Sequence, residues 1–214
     1  RKLETSACNR MIKVLEYNHE IVWTTNFKDD YKYNTVRFDF CDFAYNEIKL
    51  PTIKQLEIGH IHSMHTMTIT APCLERLYIS GEQSYSMYKG VFNKLKYLWF
   101  NGNIRNLSFI APNLTELEIG AQREFSDVIE IICKFPKVKI IGVCKVHARA
   151  YKQILLLPRI KSLTLVDNHC HLSVSELTKN TTLLSLKLEH SGLGRIIYKD
   201  TPDILVANRI INRN

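Results

Sequence analysis

Three histidines, His60, His62 and His65, stand close enough in the chain to suggest a metal site, because neutral imidazole is a common zinc ligand. No fourth ligand follows at a matching spacing, and the run comes directly after a strand-like segment, so a solvated loop is the expected role. His169, Cys170 and His171 are consecutive, and neighbours in an extended segment point to opposite sides, which prevents convergence on one ion. Gly192-Leu193-Gly194 precedes no phosphate-cradling Lys-Ser/Thr pair and follows no doubly wound unit, so it reads as a turn. The sequence contains no paired carboxylates in a recognisable acid/base motif and no Gly-x-Ser-x-Gly nucleophile elbow. The expectation is a non-catalytic chain with no metal and no cofactor, acting by binding.

Composition narrows the partner. An apolar fraction of 45% over 214 residues is ample for a large core. No apolar run approaches the roughly 18 residues of a membrane span, so no membrane partner is expected. The net charge of +8 raises the possibility of nucleic acid. Lys and Arg are nonetheless spread along the sequence, with only a loose group at Arg195, Lys199, Arg209 and Arg213, which makes nucleic acid the lesser alternative. Cys8, Cys41, Cys73, Cys133, Cys144 and Cys170 lie far apart without a Cys-x-x-Cys pair. Reduced core thiols and an intracellular location, nuclear or cytoplasmic, are the expectation. Sequons begin at Asn106, Asn113 and Asn180, but such tripeptides arise often by chance. The chain starts Arg1-Lys2-Leu3, with neither methionine nor a signal region, and is expected to be part of a longer protein.

Positioning any binding group falls to a repeat. The template apolar-x-x-apolar-x-apolar fits Ile53/Leu56/Ile58, Leu74/Leu77/Ile79, Leu95/Leu98/Phe100, Leu114/Leu117/Ile119, Val138/Ile141/Val143, Ile160/Leu163/Leu165 and Leu183/Leu186/Leu188, at intervals of 19 to 24 residues. Pro51, Pro72, Pro112, Pro136 and Pro158 each fall two residues ahead of a copy. Degenerate copies precede these at Ile12/Leu15/Tyr17 and Tyr33/Val36/Phe38. Such a period denotes stacked units, each a short strand that cannot bury its apolar face alone. The returning segments differ. Thr66–Thr70 and Asn106–Ile110 alternate like strands, whereas Ser126 could cap a helix carrying Val128, Ile129 and Ile132, and Ala148–Leu157 and Ser173–Leu177 read as helical turns. Wider helical backs predict stronger curvature in the C-terminal half.

The stretch Ala111-Pro112-Asn113-Leu114-Thr115-Glu116-Leu117-Glu118-Ile119 resembles the irregular leucine-rich repeats of F-box proteins. The stretch Glu176-Leu177-Thr178-Lys179-Asn180-Thr181-Thr182-Leu183-Leu184-Ser185-Leu186 resembles intracellular repeats of the ribonuclease-inhibitor kind. The resemblance spans roughly Tyr33 to Leu193. It implies an α/β leucine-rich-repeat solenoid, a horseshoe with a parallel concave sheet and a mixed strand and helix convex side. One domain is expected over 1–214, with secure repeats in 53–193, degenerate or capping repeats in 1–52 and a C-terminal cap in 194–214. The resemblance also implies the substrate-recognition arm of a ubiquitin ligase, gripping a protein partner and reaching its adaptor through a region outside this chain. The alternatives are a non-catalytic scaffold in a chromatin, kinetochore or signalling assembly, and a basic solenoid that binds nucleic acid.

In strand geometry the third, fifth and seventh residues of each copy face outward. Strands about 4.8 Å apart then bring Tyr78, Tyr97 and Trp99 into one aromatic patch, with Arg76 beside it and Glu57, Glu116 and Glu118 at its edges. Tyr, Trp and Arg dominate interface hot spots, so these seven residues form the candidate partner site, and the glutamates favour a basic or mixed ligand segment.

Overall fold

Apolar residues two apart on a strand project to the same side, so the template's second and third positions require something to pack against. A computed structural model of the chain describes residues 14–18, 21–22, 33–61, 66–80, 87–102, 107–120, 125–145, 148–166 and 182–189. In it all nine copies form strands of one parallel sheet. These are β1 (Val14–Asn18), β3 (Thr35–Asp39), β6 (Gln55–Ile58), β8 (Arg76–Ser80), β10 (Tyr97–Asn101), β12 (Glu116–Ile119), β13 (Ile140–Cys144), β14 (Ser162–Val166) and β15 (Ser185–Glu189), in that spatial order. Each strand hydrogen-bonds to its predecessor in the same register. Leu15, Val36, Leu56, Leu77, Leu98, Leu117, Ile141, Leu163 and Leu186 therefore align as one continuous row. The two degenerate copies join because aromatic residues fill the apolar positions: Tyr17 stacks on Phe38 at 5.2 Å between ring centroids.

The prolines act where a turn needs them. Backbone bonds from Leu74 to Ala71, Leu114 to Ala111, Val138 to Phe135 and Ile160 to Leu157 close four-residue turns with Pro72, Pro112, Pro136 and Pro158 second. Proline presets the φ angle that this position requires. Asn93 takes the same place in the turn closed by Leu95 and Phe92.

Behind the first sheet lies a second, formed by β5 (Glu47–Lys49), β7 (Met67–Thr70), β9 (Tyr88–Val91) and β11 (Leu107–Ile110), again parallel and in chain order. A two-residue pair, β2 (Ile21–Val22) with β4 (Asp42–Phe43), continues the N-terminal side. The alternations read at these two places are thus strands, over Met67–Thr70 and Leu107–Ile110. Glu47–Lys49 and Tyr88–Val91 are strands that the sequence hides, each inserting one buried anchor, Ile48 or Tyr88, among exposed or half-buried residues. Further along, the backing is helical: α1 (Phe125–Lys134) and α2 (Ala148–Leu155) pack together. Ser126 falls within the first turn of α1 rather than ahead of it. Val128, Ile131 and Ile132 are buried and Ile129 partly so, the spacing of one helix face. Phe92, Phe109 and Phe135 link strand backing to helical backing, with centroids 5.3 and 6.0 Å apart. Lys134 donates to the Leu107 carbonyl at 2.9 Å, covering part of the β11 edge.

The molecule is therefore a mostly parallel-sheet solenoid with few helices. The proposed turn at Ser173–Leu177 and the cap at 194–214 lie outside the described residues. No helix among those residues is long and apolar enough to cross a membrane. The expectation of core thiols needs correction. Cys41 is fully buried, but Cys73 and Cys144 are half-buried and Cys133 is exposed, because Cys133 lies on the outer face of α1; Cys8 and Cys170 are outside the described residues.

Leu98 sits in β10, flanked on both sides and fully buried. Leu98→Ala is expected to lower unfolding free energy by about 2–5 kcal/mol in a denaturant titration. Ile110→Ser, at a side chain 61% exposed on the second sheet, is expected to stay within about 0.5 kcal/mol of the parent.

Candidate functional site: an aromatic face on the long sheet

Since Leu77, Ile79, Leu98 and Phe100 point into the core, the alternating residues of β8 and β10 must point away from it. Register pairs Arg76 with Tyr97 and Tyr78 with Trp99. The Tyr78 and Tyr97 rings lie 5.2 Å apart, tilted by 47°. The Arg76 guanidinium carbon sits 4.7 Å from the Tyr97 centroid and 5.9 Å from that of Tyr78, within cation–π range. Tyr78, Tyr97 and Trp99 are half-buried and Arg76 is exposed. Glu57 is level with Tyr78, Glu116 with Tyr97, and Glu118 with Trp99. All seven residues named from the sequence thus share one sheet face.

Two of the three glutamates are already engaged. The Arg37 Nε donates to Glu57 Oε2 at 2.6 Å, and Gln55 Nε2 donates to Glu57 Oε1 at 2.7 Å. Arg37 Nη1 also reaches Glu16 Oε1 at 3.0 Å, so one guanidinium bridges two carboxylates. The hydrogen bond to Glu57 raises the Arg37 pKa above its ordinary value, with burial opposing and the nearby carboxylates assisting. Glu118 accepts a hydrogen bond from the Tyr97 hydroxyl. Burial is the main cause of a strongly raised Tyr97 pKa, reinforced by the charge and hydrogen bond of Glu118 and by Tyr78, while Arg76 pulls the other way. Tyr97 is consequently a neutral donor throughout the physiological range.

A hollow of about 550 Å³ opens on this face, walled by Tyr78, Tyr97 and Trp99, with Glu118 on one side and Arg37, Asp39 and Glu57 on the other. Arg76 and Glu116 do not line it; Arg76 instead braces the tyrosine rings from outside. Glycine keeps both flanks low. A Cβ on Gly142 would stand 2.9 Å from Glu118 Cγ, and one on Gly59 would collide with the Asp39 carboxylate. Arg37 and Asp39 belong to the degenerate copy at Tyr33/Val36/Phe38. Applying the outward rule to that copy yields Thr35, Arg37 and Asp39, so the signal was in the repeat pattern.

Among the histidines, His60 stacks on Phe40 at 4.7 Å and its Nδ1 lies 3.8 Å from Asp39 Oδ1. His62, His65, His169, Cys170 and His171 lie outside the described residues. Among the described residues, no three His, Cys, Asp or Glu side chains are grouped to hold a metal. The face offers flat aromatic surface, a neutral phenol donor and carboxylates held in fixed positions. In comparisons with known proteins, no family model, no curated protein and no solved structure matches this chain. The case for its function therefore rests on the geometry of this face.

The raised Tyr97 pKa has a definite sign for stability. Below the ordinary phenol value of 10.0 the group is neutral whether folded or unfolded. As pH rises further the unfolded chain ionises first, so stability falls. Denaturant midpoints measured across this range should drop more steeply for the parent than for Tyr97→Phe; parallel curves would contradict the placement of Tyr97.

Proposed function

We propose that this chain is a leucine-rich-repeat recognition module that holds a protein segment on the face of its nine-stranded sheet. The observation that carries this reading is the block of Arg76, Tyr78, Tyr97 and Trp99 assembled from two adjacent strands on the side away from the core. Large flat side chains with few rotors bind at low entropic cost, and an arginine already packed on a ring loses little further freedom. Trp99 and Tyr78 provide the anchoring surface. Tyr97 donates from a fixed position, and Arg76 supplies charge at the rim. With Glu57 neutralised by Arg37, Glu118 becomes the carboxylate most directly placed to meet a basic group of the partner.

The finer reading is a substrate receptor of an F-box-type ubiquitin ligase, its adaptor contacted through sequence outside this chain. Cys133 presents its thiol at the surface, an arrangement suited to the reducing interior of the nucleus or cytoplasm. A non-catalytic role for the chain itself goes with this reading.

In the Tyr97→Ala, Trp99→Ala double variant, capture of a partner identified by crosslinking should fall at least about tenfold, because loss of one hot-spot side chain commonly costs 2 kcal/mol or more. Thermal unfolding should change little. A large loss of stability would make the patch internal packing and contradict the proposal. For the ligase reading, the full-length protein should co-purify with an adaptor and cullin, and partner abundance should rise on its deletion. Stoichiometric partner binding without either result would instead favour a scaffold.

A further inference from the structure

Lysines that are scattered in the sequence are gathered by the solenoid into a line. The residue immediately before each long-sheet strand occupies the same edge, and its backbone is tied to the preceding copy: Thr115 N to Lys96 O at 3.0 Å, Lys139 N to Thr115 O at 2.9 Å, and Lys161 N to Lys139 O at 2.8 Å. The third residues of the adjoining turns lie along the same edge. Lys137 Nζ reaches Asn113 Oδ1 at 2.8 Å, and Asn113 Nδ2 donates to the Asn93 carbonyl at 2.8 Å. Lys94, Lys96, Lys137, Lys139 and Lys161 are all exposed. None of the five forms an ion pair among the described residues. By contrast, Lys54, further along this edge, is 3.9 Å from Glu75. Arg159 turns partly inward to the Ile132 carbonyl at 3.0 Å and is not counted with the five.

We propose that this lysine edge binds the sugar–phosphate backbone of single-stranded nucleic acid, at a site separate from the aromatic face. Continuity of charge favours this partner over an acidic polypeptide. The five lysines belong to copies spanning three strand-to-strand steps, about 14 Å, in two rows, Lys94 with Lys137 and Lys96 with Lys139 and Lys161. A nucleic-acid strand carries a full charge on every nucleotide whatever its sequence. An extended polypeptide matches that only with an acidic residue at every second position. On the aromatic face Glu57 is neutralised by Arg37, and Glu116 and Glu118 repel phosphate and direct it to the edge. Recognition is through backbone charge and is independent of base sequence.

The test is fluorescence anisotropy of a labelled oligothymidylate with the full chain across a salt series. Five phosphate contacts give a slope of log affinity against log salt near −3.5, or about a hundredfold loss between 50 and 200 mM salt. The triple variant Lys96→Gln, Lys139→Gln, Lys161→Gln should reduce the slope by about 2 units, with circular dichroism verifying that the fold is kept. Trp99→Ala should leave the slope unchanged. Absence of binding at 50 mM salt, binding insensitive to salt, or an unaltered slope in the folded triple variant would overturn the proposal. Competition by polyglutamate at or below the concentration of unlabelled oligonucleotide needed would also overturn it, assigning the edge to acidic polypeptide.

Discussion

A single turn of this chain, such as the one bearing Leu95, Leu98 and Phe100, cannot shield its apolar residues from water alone. It is closed by the identical positions of the turns before and after it, Leu77 and Leu117 flanking Leu98 through unbroken parallel hydrogen bonding. That constraint governs the rest of the molecule. Since a slip of one residue would turn the apolar set outward, copies 19 to 24 residues apart must stack without changing phase. Whatever recurs at one repeat position becomes a row in space. The buried leucines form such a row, and so do the turn prolines and the exposed lysines.

This explains which features were legible in sequence. The long sheet could be read because its signal repeats, and the aromatic patch followed because register alone places Trp99 beside Tyr78. The second sheet was only half legible. Tyr88–Val91 contains exposed Lys89 and a glycine, and its anchor Tyr88 belongs to no recurring template. Short backing strands are selected by the core they cover rather than by their own periodicity. Arg37 and Asp39 were missed for another reason: their copy is marked by Tyr33, Val36 and Phe38 rather than leucine, although it pairs in the same phase.

Charge is the property that linear reading distorts most. Glu57 reads as a free acidic border, yet Arg37 and Gln55 already satisfy it. Lysines more than twenty residues apart read as dispersed, yet Lys139 and Lys161 are joined by adjacent backbone bonds. The two effects divide the surface into an aromatic face with compensated charge and an edge that is basic beyond the Lys54–Glu75 pair. These differ in what they can hold, because desolvated aromatic area gives short-range affinity whereas an exposed cation row acts through screened, salt-dependent attraction.

The central claim, that repeat position fixes spatial position on the face, is tested most directly by crosslinking. Tyr78 and Trp99 face each other on adjacent strands, within the Cα separation a disulfide can span. With cysteines at both positions, mild oxidation should produce that bond, identified by peptide mapping. Cysteines at Tyr78 and Glu118, two strands apart, should not join. A Tyr78–Glu118 bond, or a Tyr78–Leu98 bond formed in preference to Tyr78–Trp99, would contradict the register on which both binding surfaces depend.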